Sequence, residues 1–544
     1  MKYNRRKLTL LTAVLMTVGL WTQAALAVAG PGHEPESVLG ALGQAFADNP
    51  FDRAMKAMSD ELIDVAEPLV QELETAEPGS FRALVARARF QYLLNDFSAA
   101  LETLNGADAI AKAGEMERVR WFEDLLRSTY ATTQGHKKVT TSRGHFVLWV
   151  TPGPDEVLIP YADEALENAH EVYGELFGYR PTRPVHVHIY QRVEDLAAVS
   201  SLKVTEIQTS GTIALCKYNR LMITSPRDLL FGYDWLDTLA HEYIHYVIIK
   251  ASNNTVPIWL HEGLAKFFEN RWREAKDAVM KPTSQDLLAG GLEQNRLITF
   301  EQMSPSMAKL PSQEDTALAF AEVFTVMNYL KNRVGMEGIG KTILAMRNGK
   351  TDREAIELAL GVSFDRFQED WRKYLKTLDL VRLPGGYAQK LYFKNKNKNE
   401  DELESLEATA AKDHTYLGDL LRARKRYLGA SKQYRKAKVT AGDTSPIIQS
   451  KLGATLIELG QYDEAIKELA PPIQYYPEYV LIFLHTGRAY LAKKDYNNAA
   501  LYLERAVRLN PFDPDAHSGL LTAYQNLGNA ELVKRAENSL RLLQ

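Results

Sequence analysis

Apolar residues recur along this chain with two different periods, and the changes of period divide it. From about residue 35 to 135 the apolar positions keep helical steps almost throughout, so this stretch reads as successive helices. At Phe146 the period shortens. FVLWV, VHVHIY, TIALC and RLMIT read as strands, with a helix from about Tyr161 to Phe177 between the first two, and together they predict a mixed sheet. In VHVHIY, Val185, Val187 and Ile189 alternate with His186, His188 and Tyr190, which places both histidines on one face. A packed or solvated strand face is the expected role for that pair. The helical period returns with Leu236, Leu239, Ala240, Ile244, Val247 and Ile248, one buried stripe. A second helix opens at Pro257 and continues through Leu260, Leu264, Ala265, Phe267 and Phe268, after a turn at Ser252 to Thr255 that lets the chain fold back.

These two helices carry the chemistry. HEYIH, residues 241 to 245, sets His241 and His245 four residues apart, so both project from one helix face about 6 Å from each other, a span one metal ion can bridge. Glu242 sits beside that pair without being forced to bind. WLHEGLA, residues 259 to 265, offers Glu262 as a third ligand, and three protein ligands leave a fourth position open, as catalytic zinc requires. Neighbouring helical residues point about 100° apart, so only one of His261 and Glu262 can face the metal. Zinc lowers the pKa of bound water from 15.7 to roughly 7, and Glu242 is placed to take the proton and pass it on. Asp237, one turn before His241, is either a partner for a ligand imidazole or an acid favoured by the helix start.

HExxH followed by WLxEGxA resembles the gluzincin metallopeptidases of the peptidase MA superfamily, the broad group that includes M1-like aminopeptidases and thermolysin. The likeness runs from roughly residue 140 to 378, taking in ALAFAEVFTVMNYLKNRVG and AIELALGVSFDRFQEDWRKYL. It implies His241, His245 and Glu262 as zinc ligands and Glu242 as general base. Two positions depart from the pattern. Where many relatives place an oxyanion-donating tyrosine this chain has Phe320, which cannot donate a hydrogen bond; Tyr329, Tyr243 and His261 are the candidates to replace it. No GxMEN-type element is present, and the corresponding stretch reads TSGTIALCKYNRLMI, which points to an endopeptidase or to another specificity.

Composition adds the compartment. Lys2, Arg5, Arg6 and Lys7 precede an apolar run from Leu8 to Leu20 and small residues ending at Ala27 and Ala29, the form of a secretory signal peptide over residues 1–29. Export to a bacterial periplasm, or secretion, is expected, with membrane attachment only if that segment stays uncleaved. Cys216 is the sole cysteine, so no internal disulfide is available and the core must hold the fold. A net charge of -4 with 25% charged residues and no basic stripe gives no nucleic-acid signal.

The 544 residues imply several domains. Residues 30–140 are helical, and ARARFQYLLNDFSAALETL resembles one tetratricopeptide unit, with Phe97 and Ala100 near its turn and second helix. The peptidase-like domain spans 141–380. A linker, 381–411, includes FKNKNKNEDELESLEA, which is polar enough to read as solvated. Over 412–544, Gly453 and Gly487, Tyr462 and Tyr496, Ala465 and Ala499, and Pro477 and Pro511 each stand 34 residues apart, and this resembles a tetratricopeptide repeat array. A looser unit around Gly418, Tyr427 and Ala430 precedes them, and a last one begins near Asp515. The expected architecture is multidomain: an α+β gluzincin-like core between an N-terminal helical segment and a C-terminal all-α solenoid. The expected function is an exported zinc peptidase whose repeats recruit a peptide or protein substrate or partner. The alternative is a weakly active or inactive peptidase-fold scaffold acting in protein-protein interaction.

Overall fold

A computed structural model describes residues 49–273, 279–383, 391, 393–394, 403, 406, 408–442 and 444–544. Residues 1–29, expected to form a signal peptide, lie outside the described residues. The described residues fall into two compact units: those up to Thr132 with Ala197–Lys203, and Thr133–Leu196 with those from Val204 onward.

The first unit holds helices α1 (Pro50–Ser59), α2 (Ile63–Ala76), α3 (Phe81–Leu93), α4 (Phe97–Ile110) and α5 (Glu115–Thr133). Asp96 caps α4 by accepting from the Ala99 N–H, and Phe97 and Ala100 are buried where α4 meets α3, as a helical hairpin of the tetratricopeptide kind requires.

In the second unit, β1 (Lys137–Thr140), β2 (Phe146–Val150), α6 (Ile159–Phe177), β3 (Val185–Tyr190), α7 (Val193–Ala198, whose last two residues belong to the first unit), α8 (Val204–Ser210), β4 (Ala214–Lys217) and β5 (Arg220–Thr224) precede the site helices. The sheet runs β1-β2-β3-β5-β4. β2, β3 and β5 are parallel, and the two edges, β1 and β4, are antiparallel to their neighbours. The mixed sheet is as the alternation predicts, with β1 added; its KKVT is too polar to signal a strand. α9 (Trp235–Ser252) packs on α6, β4 and β5, and α10 (Ile258–Phe268) follows. Asn253 and Asn254, both with φ 57°, make the left-handed turn between them.

α11 (Pro282–Glu293), α12 (Phe300–Met303), α13 (Gln313–Arg347), α14 (Asp352–Leu360) and α15 (Phe364–Leu375) complete the core. Gly335, at φ 67° and ψ -178°, breaks α13 into two helices, a conformation that favours glycine. α10 approaches α13 closely because Gly263 has no side chain: a Cβ there would stand 3.0 Å from Met327 and 3.2 Å from the Val323 carbonyl.

Four helical pairs form the repeat array: α16 (Thr409–Ala423) with α17 (Tyr427–Ala441), α18 (Pro446–Glu458) with α19 (Tyr462–Tyr475), α20 (Val480–Ala492) with α21 (Tyr496–Leu509), and α22 (Pro514–Leu527) with α23 (Ala530–Leu543). The periodic glycines are the points of tightest approach, since a Cβ on Gly453 would lie 2.7 Å from Leu469 and one on Gly487 2.5 Å from Leu503. The linker reading needs correction where the linker is described. Leu383, Leu403 and Leu406 are buried in the repeat core, and Phe393 bridges to Leu229. Single apolar residues spaced through a polar run suffice to anchor it. No helix among the described residues is long and apolar enough to cross a membrane.

Candidate metal centre

α9 is buried almost along its whole length, including His241, Glu242 and His245. Its apolar stripe faces the sheet, and the opposite side meets α10 and α13. Nε2 of His241 lies 3.2 Å from Glu262 Oε2, and Nε2 of His245 lies 3.3 Å from the same oxygen. A tetrahedral zinc with bonds of about 2.0–2.2 Å holds its ligand atoms roughly 3.3–3.5 Å apart, so both nitrogen-to-oxygen separations are close to ligand separation. The donor chemistry, two imidazole nitrogens and a carboxylate, also suits zinc.

His241, Glu242 and His245 also form a group whose ligand atoms lie within 4.8 Å of one another. Glu262 Oε2 lies 3.2 and 3.3 Å from the two histidine nitrogens, and Glu242 is buried beside them.

The outward nitrogens of both imidazoles are held. His241 Nδ1 is 3.1 Å from Glu269 Oε2, whose other oxygen accepts from Lys266 at 2.7 Å. His245 Nδ1 meets His261 Nδ1 at 2.5 Å, with the two rings stacked at 4.6 Å. Each ring thereby points Nε2 towards Glu262, as a metal-ligating histidine fixed through its other nitrogen does. His261 thus faces the back of His245 while Glu262 faces the metal position. Glu269 had no place in the sequence reading, although it stands seven residues after Glu262, two helical turns on and on the same face. Asp237 is not the imidazole's partner: it accepts from Trp272 Nε1 at 3.0 Å and pairs with Arg273.

Electrostatics follow the contacts. Burial pushes the His241 pKa down, but the hydrogen bonds to Glu262 and Glu269 outweigh it and carry the group to about 10. Burial would raise Glu262, yet the two histidines hold it well below the ordinary carboxylate range. Glu242 is displaced upward, chiefly by burial, against the pull of His245 and His241. The backbone N–H of Cys216 on edge strand β4 donates to its carboxylate.

Phe320 on α13 packs its ring edgewise on His241 at 5.9 Å, so the residue aligned with the oxyanion donor stands at the site and offers no donor. The three candidates to replace it have these neighbours. Tyr243 packs on Phe146 at 5.0 Å, Tyr329 on Tyr374 at 5.6 Å, and His261 on His245.

Residues 164–377 match the family model of the Peptidase MA superfamily. Residues 451–514 match that of a tetratricopeptide repeat. No curated protein matches the chain. Among solved structures, yeast LTA4 hydrolase in complex with Bestatin is 11% identical, with 75% of this chain and 64% of that one covered at a TM-score of 0.29. The Sgt2 TPR domain from Aspergillus fumigatus is 23% identical over 23% of this chain and 83% of its own, at a TM-score of 0.22. Yeast Tom70 is 14% identical over 91% of this chain and 86% of its own, at a TM-score of 0.23.

The domain from 164 to 377 is therefore of the peptidase MA kind, and the repeats are of a kind that supports protein interaction.

Proposed function

We propose that this protein is an exported zinc-dependent peptidase, an endopeptidase rather than an aminopeptidase, whose repeats bind a peptide or protein substrate or partner. The observation that carries the reading is the pair of contacts, 3.2 and 3.3 Å, from two histidine Nε2 atoms to one oxygen of Glu262. His241, His245 and Glu262 would hold the ion. When bound, zinc supplies Lewis acidity, bringing water's pKa to roughly 7 and polarising a substrate carbonyl.

The rest is work for the chain's own groups. Glu242 takes the proton of the attacking water as the new C–O bond forms and delivers it to the amide nitrogen as the C–N bond breaks. Burial raises the Glu242 carboxyl above its ordinary value, which favours its taking up a proton and passing it on. Glu269 and His261 keep the two rings turned so that neither Nε2 swings away. β4 is a sheet edge whose Cys216 N–H reaches Glu242, so an extended peptide added along that edge would lie beside the base.

A second reading rests on Phe320. With a phenyl ring where relatives donate a hydrogen bond, transition-state stabilisation would fall by a few kcal/mol, and the domain would act chiefly as a scaffold. A peptide-library digest of the full chain and of Glu242→Gln, each with and without chelator, separates the two. Chelator-sensitive products that vanish in Glu242→Gln support the peptidase. Undiminished cleavage by Glu242→Gln overturns it, and zinc bound without products favours the scaffold. Export is tested by N-terminal mass of the mature protein, expected after Ala27 or Ala29.

A further inference from the structure

The repeat array touches the peptidase-like core where the ligand-bearing helices begin and end. Tyr233 N–H, two residues before α9, donates to the Leu509 carbonyl at the end of α21 at 3.2 Å. Gly232 makes that approach possible: it has φ +68°, and a Cβ there would lie only 2.3 Å from the Leu509 oxygen.

Around this seam lies a partly buried ion cluster contributed by four segments, with Asp237 its one buried member. Asp234 and Asp237 come from the start of α9. Arg273 follows α10, Lys281 precedes α11, and Glu478 and Arg505 belong to the array. Asp234 Oδ2 stands 3.7 Å from Lys281 Nζ, 3.8 Å from Arg273 and 4.0 Å from Arg505. Lys281 pairs with Glu478, and Arg273 with Asp237. Three acids thus face three bases in a partly desolvated setting, and removing one leaves its partner less well compensated. Glu269, which orients His241, lies within the electrostatic reach of Lys281.

We propose that the repeat array is a structural arm of the metal centre: Glu478 and Arg505, acting through Lys281 and Asp234, hold the start of α9 against the end of α10. Lys281 and Glu478 are then positioning residues, which keep His241 and His245 on one helix in register with Glu262 on the other. The array does more than capture a partner at a distance, because it supplies two of the six charges that fix the ligand geometry. This inference rests on the zinc-site reading.

The test is the zinc dissociation constant of the full chain, measured by competition with a chromogenic chelator. Glu478→Gln and Lys281→Gln should each weaken zinc about 10-fold, the range found when groups behind a ligand are removed. The double variant should be little worse than Lys281→Gln alone, and Lys281→Arg should recover most of the affinity. Glu464→Gln removes an ion pair with Arg435 inside the array and should leave zinc affinity unchanged. Circular dichroism checks folding. If Glu478→Gln does not fold, Arg505→Gln, which removes the array's other charge, carries the same test with an expected loss of roughly threefold. Wild-type zinc affinity in a folded Glu478→Gln or Arg505→Gln overturns the inference. Failure of the wild-type chain to bind zinc at all overturns the zinc-site reading instead.

Discussion

Two regions of this protein present a pair of histidines on one face of a regular element, and only one of them gathers metal-site geometry. On α9, His241 and His245 find a carboxylate oxygen between them and a separate partner behind each ring. On β3, His186 accepts from Trp149 Nε1 at 2.9 Å, and His188 stacks on the same indole at 4.5 Å. Burial pushes the His186 pKa down to about 4, with the Arg220 and Lys138 cations adding to it. A histidine pair becomes a site when acids surround it and becomes packing when an aromatic ring and cations do. The same rule separates two buried glutamates: Glu262 beside histidines is held below its ordinary range, whereas burial raises Glu322, with no cation bonded to it, to about 8.

That contrast breaks most visibly at Glu262. Glu262→Ala should abolish stoichiometric zinc, measured by metal analysis after dialysis, while His186→Ala and His188→Ala retain it. Zinc lost equally from the strand variants would erase the distinction drawn here. Next in size, Glu269→Gln should loosen zinc by 10- to 100-fold with the fold intact, read by chelator competition. Asp237→Asn should weaken zinc less than Glu269→Gln, since Asp237 belongs to the ion cluster and acts through Arg273 rather than on an imidazole nitrogen.

A smaller effect is expected on the strand side. His188→Ala removes a ring stacked on Trp149 and should cost about 1–3 kcal/mol in chemical unfolding without changing zinc content. The smallest concerns pH. His186 has a folded pKa of about 4, below its ordinary 6.5, so the unfolded chain takes up the proton first. Its contribution to stability is therefore full above about 6.5 and is lost as pH falls from there through 4. Thermal melts at pH 7 and pH 5 should show a smaller acid-induced drop for His186→Gln than for the wild type. An equal drop in both would mean that the strand histidine does not titrate as its burial dictates.

Legibility in the sequence followed the range of the interactions. The α9 stripe and the alternating strands depend on residues within a turn or two, the repeat glycines on a fixed 34-residue period, and each is where its period puts it. Phe320 lies 79 positions beyond His241 in the numbering, yet its family alignment placed it at the site, and its ring does touch His241. Glu269, just past the end of α10, carries a signal in its two-turn offset from Glu262. The cluster of Asp234, Lys281, Glu478 and Arg505 had no such signal, because its members meet only after the array folds back on the core.

The sequence by itself determined which helices carry the candidate ligands, which face each candidate occupies, and that a repeat array follows, since period and side-chain chemistry can be read along the chain. Only the tertiary structure decided that both histidines share one oxygen of Glu262, that Glu269 and His261 aim their rings, and that the array grips the start of α9. Those outcomes depend on distances between segments remote in the chain, which packing fixes and local pattern leaves open.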